Sequence, residues 1–385
     1  MPVLNRIAGL TAEVTGWRHD FHMHPELMYD VHRTAARVAE LLRSFGVDEV
    51  ATGIGRTGVV GIIRGSRPGR TVGLRADMDA LPMTETEGRP HGSTVPGRMH
   101  ACGHDGHTAM LLGAAKYLAE TRDFAGSVAV VFQPAEEGGA GGLAMAEDGL
   151  FTRWPIEEIY ALHNLPGLPE GHVATRPGAL LASADTFDIV VTGRGGHAAW
   201  PHETVDPVAA AGQIITALQT VVARGTGPLQ SAVLSVTRVQ AGSAHNIIPD
   251  TALLSGTLRS LDPELRDLLA RRLEEIAAGV GAALGCRVAV TVDRITGVVM
   301  NDPARTELCA RVAAQVAGEG NVDTGMAPMM GGDDFSYMAD RVPACYVFMG
   351  NGDGPGLHTT GYDFNDRIIP AGISYWVALA QAAGA

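Results

Sequence analysis

Five short stretches of this 385-residue chain carry side chains able to do chemistry. In the densest, His100-Ala-Cys102-Gly-His104-Asp105-Gly-His107, three histidines and a cysteine fall within eight residues, just ahead of a helix. Imidazole and thiolate are donors that zinc-like ions prefer, and imidazole suits other first-row ions too. Gly103 and Gly106 let the backbone bend tightly enough for neighbouring donors to converge. The plain alternative is a His-rich surface turn, with Asp105 capping the helix. The second stretch, Pro134-Ala-Glu136-Glu137-Gly-Gly, follows an apolar strand. One of two adjacent carboxylates can bind a metal while the other takes a proton from an activated water; a solvated acidic turn is the competing reading. Leu162-His163-Asn164 closes a strand, and Leu357-His358-Thr359 follows a Gly-rich turn. Either histidine alone reads as structural, but donor residues at four strand-edge places together make coincidence a poor account. In the fifth stretch, Gly193 to His202, a Gly-rich bend carries His197. Such a histidine can donate a hydrogen bond to a carbonyl oxygen on which charge develops, or it is simply an exposed turn residue.

The elements that must position these groups follow from the apolar pattern. Residues 71–78 and 127–133 read as strands, 106–120 and 141–148 as helices, and 158–164 as a further strand. Short apolar runs alternating with helices imply an α/β sheet covered on both faces, with chemistry gathered at strand ends. From about Leu181 the pattern changes to half-buried alternation, as in Phe187, Ile189 and Val191. Asp206-Pro207 and Asp262-Pro263 each open a helix, with Asp as N-cap and Pro in the first turn. Strand-like runs at 232–239, 251–260 and 287–292 complete a strand-helix-strand-strand-helix-strand order, the ferredoxin-like pattern. The expected architecture is α/β: a catalytic domain with a central sheet, made of residues 1–180 and 295–385, interrupted by a ferredoxin-like α+β domain at 181–294. Gly53 to Gly58 matches GxGxxG, but VVGII after it reads as a strand where a dinucleotide site needs a helix. A hairpin turn is the better account.

Composition limits the partners. The chain is long enough for about two domains and 46% of it is apolar, so a sizeable core is available. A formal charge of −13 argues against nucleic-acid or anionic-membrane partners. The four cysteines are widely spaced and form no CxxC pair, which suits a reducing compartment; Cys286, Cys309 and Cys345 read as small buried hydrophobes. The N-terminal residues lack the basic-then-apolar pattern of a signal peptide, and the apolar stretch 207–223 carries Gln213 and Gln219 and falls short of a membrane span. A soluble cytoplasmic protein is expected. Met326, Met329 and Met330 either line a pocket or pack in a core.

Taken in order, DFHMHPEL (20–27), LRADMDALP (74–82), MHACGHDGH (99–107), PAEEGG (134–139), LHN (162–164), GRGGHAAWPH (193–202), SAHNIIPD (243–250), GTLRS (256–260), GGDDFSYM (331–338) and LHTTGYDFND (357–366) resemble the M20 metallopeptidase family. The likeness is strongest to its amidohydrolase branch of hippurate and auxin-conjugate hydrolases, and it spans nearly the whole chain. The resemblance implies Cys102, His104, Glu137, His163 and His358 as ligands of two divalent ions (Mn, Zn, Co or Ni) per subunit, with Cys102 between them. It implies Glu136 as general base, Asp77 as a residue orienting a ligand, and His197 as an oxyanion donor serving the partner subunit of a homodimer. It implies Asn246 and Arg259 as holders of the substrate carboxylate, and 181–294 as a lid and dimerisation domain. The implied activity is hydrolysis of small N-acyl amino acids to a carboxylic acid and an amino acid. Two rivals are a dipeptidase or aminopeptidase with the same machinery, and a non-catalytic metal- or ligand-binding protein, against which Glu136 argues. Two departures stand out: Asp333 replaces a longer Glu, and His32 stands where relatives often carry an acid.

Overall fold

Four apolar runs become the parallel centre of a mixed sheet. The structure, a computed structural model, describes residues 5–384. Strands Ala125–Gln133, Arg67–Asp77, Ile156–Pro166 and Ala344–Gly352 lie side by side in that order and run parallel. Val72, Leu74, Val128, Val130 and Val347 are fully or almost fully buried, which is why these strands lack clean alternation. The antiparallel pair Glu49–Ile54 and Gly58–Arg64 extends one side, joined by the expected hairpin turn at the GxGxxG stretch. Eight strands make up this sheet among the described residues.

Helix His104–Thr121 is buried on nearly every face of its first three turns. It packs against helices Asn5–Met23 and Ile369–Ala383 in one core with the sheet. Parallel register then brings the chemistry to one edge. Asp77 lies opposite Gln133, so the Pro134–Gly139 turn begins beside it. Arg75 lies opposite Ala161, two residues short of His163.

The described residues divide into two compact units. One gathers the chain up to Leu180, Met300–Ala327 and the chain from Asp334 onward; the other is Leu181–Val299 with Pro328–Asp333. The second unit holds an antiparallel sheet in the order Ala232–Ala241, Thr251–Ser260, Ser183–Thr192, Arg287–Thr296. That is the strand order of a ferredoxin-like unit. Helices Pro207–Gly225 and Pro263–Ala283 share its core with Ile189, Leu254 and Leu258. Both begin as their sequences imply, with Asp206 and Asp262 accepting hydrogen bonds from the first-turn N–H groups. The contact boundary falls at Val299 rather than 294, because the last strand continues to Thr296.

Among the described residues no helix is long and apolar enough to cross a membrane. All four cysteines are free and buried. Met326, Met329 and Met330 are not core residues; Met329 is 36% exposed.

Candidate metal centre

The turn ahead of helix His104–Thr121 depends on Gly103. Its φ of 94° is left-handed, and a Cβ there would collide with the Asn164 side chain. The turn places Cys102 and His104 beside His163 from the neighbouring strand. Their three donor atoms all lie within 4.8 Å of one another, with Cys102 Sγ 3.4 Å from His163 Nε2. Cys102, Glu137 and His358 form a second set within the same limit, with His358 Nε2 3.3 Å from a Glu137 oxygen. Cys102 belongs to both sets, so its sulfur sits where two ions could share it. The five ligand candidates read from the sequence thus converge in the first unit.

The hydrogen bonds around them leave the donor atoms available. His104 Nδ1–H donates to the Asp79 carbonyl at 2.8 Å, and His163 Nδ1–H donates to the Asn164 carbonyl at 2.7 Å. Each Nε2 atom therefore faces the cluster, as in a metal-binding histidine. Burial works against charge on His104, but Asp77 and Cys102 prevail and hold its metal-free ring toward the charged form, so a metal would take the place of its Nε2 proton. His104 Nε2 is buried and has no hydrogen-bond partner. An orphaned imidazole nitrogen beside a thiol, a second imidazole and carboxylates is a donor set that fits a divalent transition ion. His107 is not part of it. Its Nδ1 lies 2.6 Å from Asp77 and its Nε2 2.7 Å from the Asn164 side-chain oxygen, so both ring nitrogens are already engaged.

Asp77 does not hydrogen-bond a ligand candidate directly; its nearest approach to His104 Nε2 is 3.7 Å. It receives His107 on one oxygen and the buried Arg75 guanidinium, at 2.7 Å, on the other. Arg75 also donates to Gln133 and Asp334, and Asp334 accepts from the Gly142 N–H. Sequence reasoning passed over Asp79. Its carboxylate accepts from the N–H groups of both Glu136 (2.9 Å) and Glu137 (3.1 Å), while its carbonyl orients His104. The signal was present, because Asp79 follows Asp77 at the end of a buried strand, where an unpaired acid is costly.

The centre is rich in negative charge. Burial, reinforced by Glu137, pushes the Cys102 thiol up to about 12, so it stays protonated without a cation nearby. Burial pushes Asp79 up as well. For Asp77 burial acts in the same direction but is outweighed by His104, Arg75 and His107, which hold it well below the usual carboxylate range. Burial, followed by His107, drives His163 far down and keeps it neutral, as a ligand must be. Glu136 is half-buried, with one oxygen 3.9 Å from His104 Nε2.

The other three expected site residues belong to the second unit. Gly196–His197 pairs with Ile247–Ile248, and the Ala198 N–H donates to the Asn246 carbonyl at 3.0 Å, so His197 and Asn246 share one exposed ladder. The His197 ring lies 4.8 Å from that of Trp200. Arg259 sits in the strand Thr251–Ser260, half-buried, and among the described residues its guanidinium has no ion pair or hydrogen bond. Asp333, one of the departures, is buried in the second unit, while Asp334 belongs to the first.

Known proteins match this arrangement along its length. A hippurate hydrolase of Campylobacter jejuni is 39% identical over 380 residues, 99% of each chain. An N-acetylcysteine deacetylase of Bacillus subtilis is 36% identical over 94% of each chain. A solved Bacillus subtilis structure, described as a dinuclear metal-binding peptidase of the M20 family, superposes with a TM-score of 0.85 at 32% identity, covering 98% of this chain and 99% of that one. The profile of peptidase family M20/M25/M40 matches residues 73–382, and the chain belongs to that family.

Proposed function

We propose that this protein is a metal-dependent amidohydrolase that cuts the amide bond of small N-acyl amino acids, releasing a carboxylic acid and an amino acid. The observation that carries the reading is the pair of donor sets sharing Cys102, with Glu136 at their margin. Cys102, His104 and His163 would hold one divalent ion, and Cys102, Glu137 and His358 a second, with Mn, Zn, Co and Ni all suited to such mixed donors. Bound ions of this kind supply Lewis acidity toward the carbonyl and acidify water.

The chain's own residues do the remainder. Asp79 clamps the backbone of the Glu136–Glu137 turn and so fixes where the Glu136 carboxylate points. Glu136 takes a proton from the attacking water and passes it to the leaving nitrogen, which balances one water against one amide bond broken. His197 donates a hydrogen bond to the oxyanion. Arg259 and Asn246 hold the substrate carboxylate, the planar guanidinium pairing with it through two hydrogen bonds. Residues 181–294 act as lid and dimerisation domain, and each His197 serves the site of the other subunit in a cytoplasmic homodimer. The names of the hippurate hydrolase and the N-acetylcysteine deacetylase support an acylated amino acid as substrate.

The test uses chelator-stripped protein reloaded with Mn, Co, Ni or Zn. It is offered N-acetyl, N-benzoyl and indole-acyl amino acids beside plain dipeptides. Metal-restored release of the free amino acid from the acylated substrates is expected. Cleavage of dipeptides alone would make it a peptidase, and no cleavage by folded, metal-loaded protein would overturn the reading.

A further inference from the structure

Helix His32–Ser44 and the hairpin of strands Glu49–Ile54 and Gly58–Arg64 border a surface cleft of about 350 Å³ in the first unit. Its helical wall is one face, with Ala35, Ala36 and Ala39 forming a small apolar floor between His32 and Arg43. The hairpin turn contributes Arg56. No acidic residue lines the cleft. Among the described residues neither Arg43 nor Arg56 has a carboxylate within ion-pair distance, whereas the neighbouring Arg33 and Arg37 are paired with Asp20 and Glu40. In a chain of formal charge −13, two unpaired arginines and a histidine around one cleft are a local inversion of sign.

Arg56 is also conformationally unusual. It sits at φ 80°, beside Gly55 at 57°, in a backbone region that favours glycine. Its guanidinium lies 4.1 Å from the centre of the Tyr29 ring. The Tyr29 hydroxyl donates to the Gly139 carbonyl at 2.6 Å, and the Met28 carbonyl accepts from the Ala135 N–H at 3.1 Å. Ala135 and Gly139 bracket Glu136 and Glu137. Met28, Ala135 and Ala140 share the left-handed backbone of Arg56, so the whole connection is held away from its relaxed conformation.

We propose that this cleft binds an extended dianion of the linear dicarboxylate class, and that its occupancy reaches the Glu136–Glu137 turn through Tyr29. One carboxylate is received by His32 and Arg56, the other by Arg43, and the chain between them lies on the alanine floor. His32 and Arg43 are separated by a helical rise of about 16 Å, which the backward lean of the arginine side chain shortens. An arginine fork matches a carboxylate in two hydrogen bonds. An anion engaging Arg56 competes with the Tyr29 ring for the same cation. That withdraws support from the tyrosine holding Gly139, and turnover falls without competition for substrate.

Isothermal titration of the metal-loaded protein with suberate and with hexanoate, at constant ionic strength, tests the site. Suberate should saturate one site and bind more tightly than hexanoate. Its affinity should fall about tenfold in Arg43→Gln and in Arg56→Gln, the loss expected for hydrogen bonds to a charged group, and largely return in Arg56→Lys. Both arginines are exposed, so these variants keep the fold. Absence of saturable binding, or binding unchanged in both variants and therefore located elsewhere, overturns the site. The kinetic arm rests on the amidohydrolase reading, and the binding arm does not. At a suberate concentration near its wild-type dissociation constant, kcat should fall in the wild type and much less in Arg43→Gln, whose affinity is lower; an unaffected wild-type kcat, or an equal fall in the variant at that concentration, overturns the coupling.

Discussion

Glu136 and Glu137 are neighbours in sequence with different tasks, and the difference is set by what each faces. Glu137 meets His358 in an ion pair, and burial, which works against its charged form, is outweighed by His358 and His104, so its pKa is lowered. Glu136 is anchored through its backbone and keeps its carboxylate at the margin. Glu136→Gln preserves shape and removes the base. We expect kcat to fall by about two orders of magnitude or more with metal content unchanged; near-normal turnover in the loaded variant would remove Glu136 from the mechanism. The donor sets make a separate prediction, read by metal analysis of purified variants. His104→Ala or His163→Ala should lose one ion per subunit, Glu137→Ala or His358→Ala the other, and Cys102→Ala should weaken both. Two tightly held ions in Cys102→Ala would end the shared-sulfur reading.

The elements add a dependence on pH. His22, on helix Asn5–Met23, lies 2.8 Å from Asp105 in the first turn of helix His104–Thr121 and 3.1 Å from Glu85. Burial works against its charge, but Asp105 and Glu85 prevail and raise its pKa to about 9 from 6.5. Glu85 is held down to about 2 from 4.5, its own desolvation outweighed by His22 and the Ser93 N–H. A raised histidine stabilises fully below its unfolded pKa and loses that contribution as pH rises through about 9; the lowered Glu85 contributes above 4.5 and loses it toward 2. Urea midpoints of the metal-free protein should therefore hold steady between pH 5 and 6.5 and decline toward pH 9. In His22→Gln that alkaline decline should shrink, and an identical decline would discount the pairing. The same helix shows why part of the fold was not legible in sequence. Strands such as 127–133 announce themselves by apolar runs, and Asp206-Pro207 and Asp262-Pro263 by their caps. Helix Asn5–Met23 instead buries Arg18 and His22 completely, against Asp105, Asp363 and Glu85. Those partners are remote in sequence, so a buried face carrying charges reads locally as an exposed one. Arg75 was hidden for the same reason, since its role exists only once Asp334 is brought to it. The donors crowded into residues 100–107 needed less help, because their types and spacing already pointed to a metal, whereas His163 and His358, each read alone as structural, stood out only in company.

At the level of the whole molecule, the proposed homodimer would complete each site from the opposite subunit, and this can be read by mixing two crippled chains. Glu136→Gln and His197→Ala homodimers should each be nearly inactive. Unfolded and refolded together in equal amounts, they should recover about a quarter of wild-type activity, because random pairing gives half hybrids, each with one intact site. No recovery in a mixture shown to contain hybrids would place His197 in its own subunit's site or outside the mechanism. The division of the chain was readable as a change in apolar period near Leu181, whereas the assignment of Pro328–Asp333 to the second unit was not. That segment carries no periodic signal and is placed only by the fold.

The position of Cys102 in both donor sets has a consequence for metal economy in the cell. A thiol gives up its proton only once. Were two ions bound, the first would have to displace a proton that burial holds firmly on the sulfur, and the second would meet a thiolate already formed. Filling would then be cooperative. When metal is scarce, the population should divide into empty and doubly loaded molecules, with few half-loaded ones between, which native mass spectrometry at one equivalent of metal would resolve. An even spread of singly loaded chains would mean that the two positions fill independently.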